Sequence, residues 1–142
     1  MKTFTLSEAL TLLPVVESLL IRAQTAVGTA AEREQQMQQL SQAIFMTGGM
    51  HVDVVAASRT KNEHEKAVAE AKDTLGELEA IGVQIKDLER GLLDFPFQLE
   101  DEVVLLCWLQ GEKTITHWHT TDSGFAGRQP LDDRFIRGEK PH

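Results

Sequence analysis

His117 and His119 are separated by one residue, and Asp122 follows three positions on. In an extended strand alternate side chains share a face, so both imidazoles would point the same way. Two imidazoles and a carboxylate form a donor set for one divalent metal: zinc, manganese or iron. Glu102, Glu112, Asp87 and Asp94 offer further oxygen ligands. A water held on such an ion is a nucleophile at neutral pH, which brings a small metal-dependent hydrolase within reach. No metal class demands this spacing, however, and histidines on exposed strands are common. Glu112 is a candidate catalytic base or ligand. Arg128, between Gly127 and Gln129, lies where backbone amides can join it around a substrate carboxylate or phosphate. The alternative for Arg128 is a salt bridge to Asp87, Glu89 or Asp94. Asp94, just before Phe95-Pro96-Phe97, reads as a turn residue or as a substrate contact. Cys107 falls inside the apolar run Val103 to Leu109, where burial keeps a thiol protonated, so it reads as a small core residue. Trp108 and Trp118 read as core partners on neighbouring strands.

These residues need a scaffold, and the first half of the chain is helical in pattern. Thr5 and Glu8 have capping-box spacing. A short helix over 6–13 follows, and Pro14, which lacks an amide hydrogen, should end it and open a longer one. Val16, Leu20, Ala23, Val27, Ala30, Glu34, Met37, Ser41 and Ile44 repeat at helical spacing until Thr47-Gly48-Gly49. A second stripe runs from Val54 through Ala57, Lys61, His64, Val68, Ala71 and Leu75 to Leu78. His51 and Asp53 start this helix, with Asp53 as its cap. Two helices of about 30 residues joined by a short glycine turn must fold back as an antiparallel hairpin. Folding about that turn sets Leu20 against Leu78, Val27 against Ala71 and Ile44 against Val54. It also sets Glu34 opposite His64 and Met37 beside Lys61, a polar layer that fixes register or lines a ligand site. The stripe is narrow and rich in alanine, which points to further packing, against the second half or a second copy.

From Gly82 the period changes to two. Val83 and Ile85, then 103–109, then 114–119, read as strands of a small antiparallel meander. Gln110-Gly111-Glu112 is its turn, with a loop of two or three residues. A two-residue loop sets Glu102 and Val104 against His119 and His117; a three-residue loop sets Cys107 across from Ile115. The stretch 120–131 reads as an ordered loop and 134–142 as a frayed tail. The fold class is α+β: a long antiparallel helical hairpin with a short N-terminal helix and a small C-terminal antiparallel β-meander. The 142 residues fit one domain, with the hairpin at about 14–81, meander and loop at about 82–131 and tail at 132–142.

Composition narrows the partners. Lys and Arg number 14 against 22 Asp and Glu, a formal net charge of −8 that opposes nucleic acid and anionic lipid surfaces. Between Lys61 and Glu102 acidic side chains outnumber basic ones, which disfavours anions on that side. The longest unbroken apolar run is too short to span a bilayer, and no signal peptide is apparent, so a cytoplasmic location is expected. The single cysteine excludes an intramolecular disulfide and a Cys-rich zinc finger.

KDLERGLLDFP at 86–96, CWLQGEKTITHWH at 107–119 and DSGFAGRQP at 122–130, with FTLSEALTLLP at 4–14, resemble the signature blocks of a bacterial family of unknown function, number 2203 among the domains of unknown function. The resemblance covers nearly the whole chain. It implies a long helical hairpin with a compact C-terminal region, and it brings no established activity. Carried over position by position, its pattern points to Cys107, Trp108, Gly111, Glu112, Trp118, His119, Asp122, Gly124, Phe125, Gly127 and Arg128. His117 is outside that pattern.

Two functions remain open from the sequence. One is a metal- or ligand-binding site in which His119, Asp122 and His117 hold one divalent metal, Glu112 is the ligand or base, and Arg128 and Asp94 contact a small-molecule substrate. The other is a non-catalytic hairpin module for partner binding or self-association, with a homodimer as the simplest form. Nucleic acid and membrane are not expected partners.

Overall fold

The computed structural model describes residues 1–49 and 52–137. Helix α1 (Leu6–Thr47) and helix α2 (Val54–Ile81) are followed by β1 (Gln84–Asp87), β2 (Leu92–Leu99), β3 (Glu102–Leu109), β4 (His117–His119), β5 (Gln129–Pro130) and a short helix α3 (Asp133–Arg137). The strands form one antiparallel sheet in the order β1-β2-β3-β4-β5. The α+β class, with its long helical hairpin and β-meander, is therefore as the sequence pattern predicts.

The helices start as their caps dictate. The Thr5 amide donates to Glu8 Oε1 and the Glu8 amide to Thr5 Oγ1, both at 3.0 Å. Asp53 Oδ1 accepts the Ala56 amide at 3.0 Å at the start of α2, while His51 lies outside the described residues. The expected break at Pro14 does not occur; α1 runs through it as one helix. Pro14 and Leu10, whose carbonyl loses its donor, are both exposed, so water can replace the missing hydrogen bond. By length and composition alone, one 18-residue stretch of α1 is apolar enough for a helix that crosses a bilayer.

The chain divides into two compact units. In the unit formed by residues 1–20 and 76–142, one face of the sheet carries Leu93, Phe95, Phe97 and Leu99 from β2, Val104, Leu106 and Trp108 from β3, and Trp118 from β4. These join Leu13, Val16, Leu20 and Leu78 in one buried core. Phe135 on α3 is fully buried in the same core, against Phe97 and Trp118 with ring centroids 4.9 and 5.4 Å away. The frayed tail expected over 134–142 is thus a helix to Arg137, because one large aromatic finds a place in the core; 138–142 lie outside the described residues.

In the unit formed by 21–75 the helices are antiparallel, joined by Arg22–Glu70 at 2.7 Å, Arg33–Glu63 at 2.6 Å and Glu34–His64 at 3.5 Å. The last pair is the polar layer the folding arithmetic predicts. Its buried residues are mostly small: Ala23, Ala26, Ala67, Ala71 and Thr74. Val27, Ile44 and Val54, expected to pack across the hairpin, are exposed, since alanine-lined helices have little apolar depth to cover them.

Strand β2 is the largest departure from the sequence reading, which placed a turn at Asp94. Asp94 lies mid-strand, paired with Cys107. β2 is buried on both faces, so it lacks the alternation that marks a half-exposed strand. Pro96 is tolerated because a residue's N and O face the same neighbour in an antiparallel strand. Its carbonyl accepts the Phe4 amide at 2.7 Å, so its missing donor falls on that side and leaves the β2–β3 ladder intact.

Candidate functional site

The second face of the sheet carries Leu92, Asp94 and Pro96 from β2, Leu105 and Cys107 from β3, and His117 and His119 from β4. All but His117 are buried, and they stand apart from the main core. The β3–β4 register decides which of them meet. It pairs Cys107 with His117 and Leu105 with His119, which neither a two- nor a three-residue loop would give. The connection is wider because Glu112 builds it. Glu112 Oε1 accepts the Leu109 amide at 2.7 Å, the Glu112 amide donates to the Leu109 carbonyl at 2.9 Å, and Trp108 Nε1 donates to the Glu112 carbonyl at 2.9 Å.

At the centre lies a buried carboxylate–imidazole pair. His119 Nε2 and Asp94 Oδ2 are 2.9 Å apart, with side chains 4% and 0% exposed. His119 Nδ1 is 2.7 Å from the Thr120 carbonyl, which can only accept, so Nδ1 carries a proton. The contact at Nε2 then needs one further proton, held on the ring as an imidazolium or on Asp94 as a neutral acid. Burial raises the Asp94 pKa, opposed by His119, which brings the carboxyl closer to sharing that proton. Asp94 Oδ1 is buried and has no hydrogen-bond partner among the described residues, although the nearby Cys107 thiol acts on the carboxyl and lowers its pKa. Cys107 stands beside the pair: one donor atom from each of Asp94, Cys107 and His119 falls within a group no more than 4.8 Å across. Burial first and the Asp94 carboxylate second push the thiol up to about 11, so it is neutral at physiological pH.

A cavity of about 160 Å³ opens over the pair. Lys86, Leu92, Asp94, Leu105 and His119 line it from the sheet, and Thr121, Gly124 and Phe125 from the loop after β4. The loop is fixed at both ends. The Thr120 amide donates to Ser123 Oγ at 3.1 Å, and Phe125 sits under the Arg90 and Arg128 guanidinium groups at 5.0 and 4.5 Å from its ring centroid. Arg128 in turn grips Glu112 with both terminal nitrogens, at 3.2 and 3.1 Å. Burial acts to raise the Glu112 pKa, but Arg128 and the Leu109 amide outweigh it and hold the carboxylate below its ordinary value. The same bond raises the pKa of Arg128.

The six residues singled out from the sequence thus meet only in part. His119 and Asp94 come together, though Asp94 as a strand residue and not as a turn. Arg128 finds Glu112 and none of the three acids considered for it. That leaves both Glu112 and Arg128 committed to holding the turn and loop. Asp122 is exposed in the turn that Thr120 and Ser123 close, and His117 Nδ1 is 2.7 Å from the Thr116 hydroxyl. His117, His119 and Asp122 are thus not a cluster; the group of three clustered His, Cys, Asp or Glu residues among the described residues is Asp94, Cys107 and His119. The chain turns away after β4, so the carboxylate nearest in sequence is not the one nearest in space. Lys86 and Leu105 were missed as cavity residues, although Lys86 and Asp94 share the block at 86–96. A wider groove of about 530 Å³ runs between α1 and α2 from Ile21 to Glu70, but its charged side chains Arg22 and Glu70 are paired with each other.

A sequence-family model described as an uncharacterized conserved protein (DUF2203) matches residues 2–131. No curated protein and no solved structure matches the chain.

Proposed function

The chain belongs to the DUF2203 family of uncharacterized conserved proteins, which brings no activity with it, and from the site alone we propose a small-ligand-binding protein whose ligand docks over Asp94 and His119. One observation carries this reading: among the residues that line the cavity is Asp94, a buried carboxylate with one oxygen that has no hydrogen-bond partner among the described residues. A buried acceptor left unpaired costs about 1–3 kcal/mol, and such groups concentrate where a ligand completes them. A ligand with a hydroxyl, amide N–H or amine would supply the missing donor to Oδ1. Leu92, Leu105 and Phe125 would enclose its apolar part, in a space comparable to about five water molecules. The proton shared by Asp94 and His119 gives the site general acid–base capacity toward that ligand. Glu112 and Arg128 serve by fixing the loop that carries Phe125.

The test is a screen of small alcohols, amides and amines against isotopically labelled protein. Fragments that shift the Leu92, Leu105, His119 and Gly124 amides, and no longer do so in Asp94→Asn, support the reading. A set that shifts none of them in the wild type overturns it.

A second reading has its own support in the outer hairpin. Phe45, Met46, Val54 and Val55 are 90%, 83%, 74% and 69% exposed, which favours an interaction or self-association module. Solution molar mass by light scattering decides it for self-association: a dimer that Phe45→Ser with Val54→Ser dissociates supports it, and a monomer at high concentration removes it.

A further inference from the structure

We propose that Asp94, Cys107 and His119 together bind one divalent transition-metal ion, zinc by preference, with a further coordination position facing the cavity. This deepens the ligand-site reading and rests on it. Three kinds of donor converge from three adjacent strands: a carboxylate oxygen, a thiol sulfur and an imidazole nitrogen, all buried and within 4.8 Å of one another. Ligands on a zinc ion lie about 2.0–2.3 Å from the metal, hence about 3.3–3.8 Å from each other. To reach that spacing the 2.9 Å separation of Asp94 Oδ2 and His119 Nε2 has to open by about 0.4–0.9 Å, and the widest separation in the group, up to 4.8 Å, has to close by about 1 Å. The Thr120 carbonyl already holds His119 with Nε2 toward Asp94, the support that metal-bound histidines generally receive. Independently, Asp94 Oδ1 is buried without a hydrogen-bond partner among the described residues, as a ligand oxygen is before its ion arrives.

Charge favours a divalent ion. A thiolate, a carboxylate and a neutral imidazole around a dication sum to zero, so the loaded site leaves no net buried charge. The charge of Arg128 is met by Glu112. A mixed sulfur, nitrogen and oxygen set suits zinc over magnesium or calcium. Water on the position facing the cavity would then be available as a nucleophile.

The experiment uses full-length protein without a histidine tag, stripped with chelator and titrated with zinc alone and with cobalt alone. The expected result is one equivalent per chain, proton release on binding in weak buffer, and a thiolate-to-cobalt charge-transfer band. Cys107→Ser should abolish the band, and His119→Ala should weaken binding by about a hundredfold or more. His117→Ala should leave stoichiometry unchanged. Wild-type protein that is folded yet takes up neither ion overturns the proposal whatever the variants do, as does a cobalt complex that keeps its band in Cys107→Ser. The fragment screen on metal-free protein separates the two ideas: fragments that bind a protein taking up neither ion leave the ligand site standing alone, and ion uptake with no fragment bound in either form leaves the metal site standing alone.

Discussion

Asp94 and His119 hold each other in a place where neither is stable alone. Removing His119 leaves the Asp94 carboxyl group buried without its imidazole partner, so His119→Ala should destabilise the fold by about 3 kcal/mol. Replacing both by leucine should recover much of that loss, since a buried ion pair is often no better than an apolar one. Denaturant unfolding of the single and double variants, with m-values compared, checks the pair. Glu112 makes the opposite case, a carboxylate held in its charged form. Its folded pKa lies below the ordinary 4.5, so the stability it adds is present above about pH 4.5 and is lost as pH falls through the lower folded value. Glu112→Gln should lose about 1–3 kcal/mol near neutrality. The difference from wild type should close as the pH falls through that lower folded value, and a gap that stays constant with pH would argue against the Arg128 pair as its source. The sequence brought His119, Glu112 and Arg128 into view because they sit in distinctive blocks. It could not assign their partners, because Asp94 and His119 are 25 residues apart and Glu112 and Arg128 are 16 apart. Such pairings are set by strand register, which local spacing does not contain.

At the level of elements, the helical hairpin was legible, apart from the break expected at Pro14, and β2 and α3 were not. Capping boxes and 3.6-residue stripes are local signals, and α2 starts and stops where they say. β2 was hidden because burial on both faces removes alternation and Asp-Phe-Pro imitates a turn. α3 was hidden because five residues carry too little periodicity to register, and its whole warrant is tertiary. That warrant is testable. Phe135 is fully buried between Phe97 and Trp118, so Phe135→Ala should cost about 3–5 kcal/mol, the range for deleting a buried aromatic ring. Ile136→Ala, next to it but 63% exposed, should stay within about 0.5 kcal/mol. Thermal unfolding of the two variants side by side distinguishes a helix docked in the core from a terminus merely resting on the surface. The family match ends at residue 131, so this contribution lies outside the segment by which the chain is classified.

Across the whole molecule, apolar burial is distributed unevenly between the two compact units. The unit containing the sheet buries Trp108, Phe95, Phe135, Leu20, Leu78, Leu93 and Leu106 completely, whereas the outer hairpin buries chiefly alanine and one threonine. At about 25 cal/mol per Å² of apolar surface, a buried leucine or aromatic contributes several times what an alanine does. The outer hairpin also depends on ion pairs such as Arg22–Glu70, whose side chains are 50% and 46% exposed and which add little. Opening of the outer hairpin should therefore need much less free energy than global unfolding. Native-state hydrogen exchange should show amides of β2 and β3 exchanging only through global unfolding. Helical amides from about Gln35 to Thr47 in α1 and at the start of α2 to about Thr60 should exchange orders of magnitude faster, through local opening. Adding salt should screen exposed pairs in both units, Arg22–Glu70 in the hairpin and Arg134–Asp132 beside the sheet, while the amides of β2 and β3 keep the slower exchange that apolar burial gives them. Uniform protection along α1, from Leu13 to Ile44, would mean that the outer face of the hairpin is covered in solution, and a concentration dependence of that protection would identify the cover as a second copy of the chain.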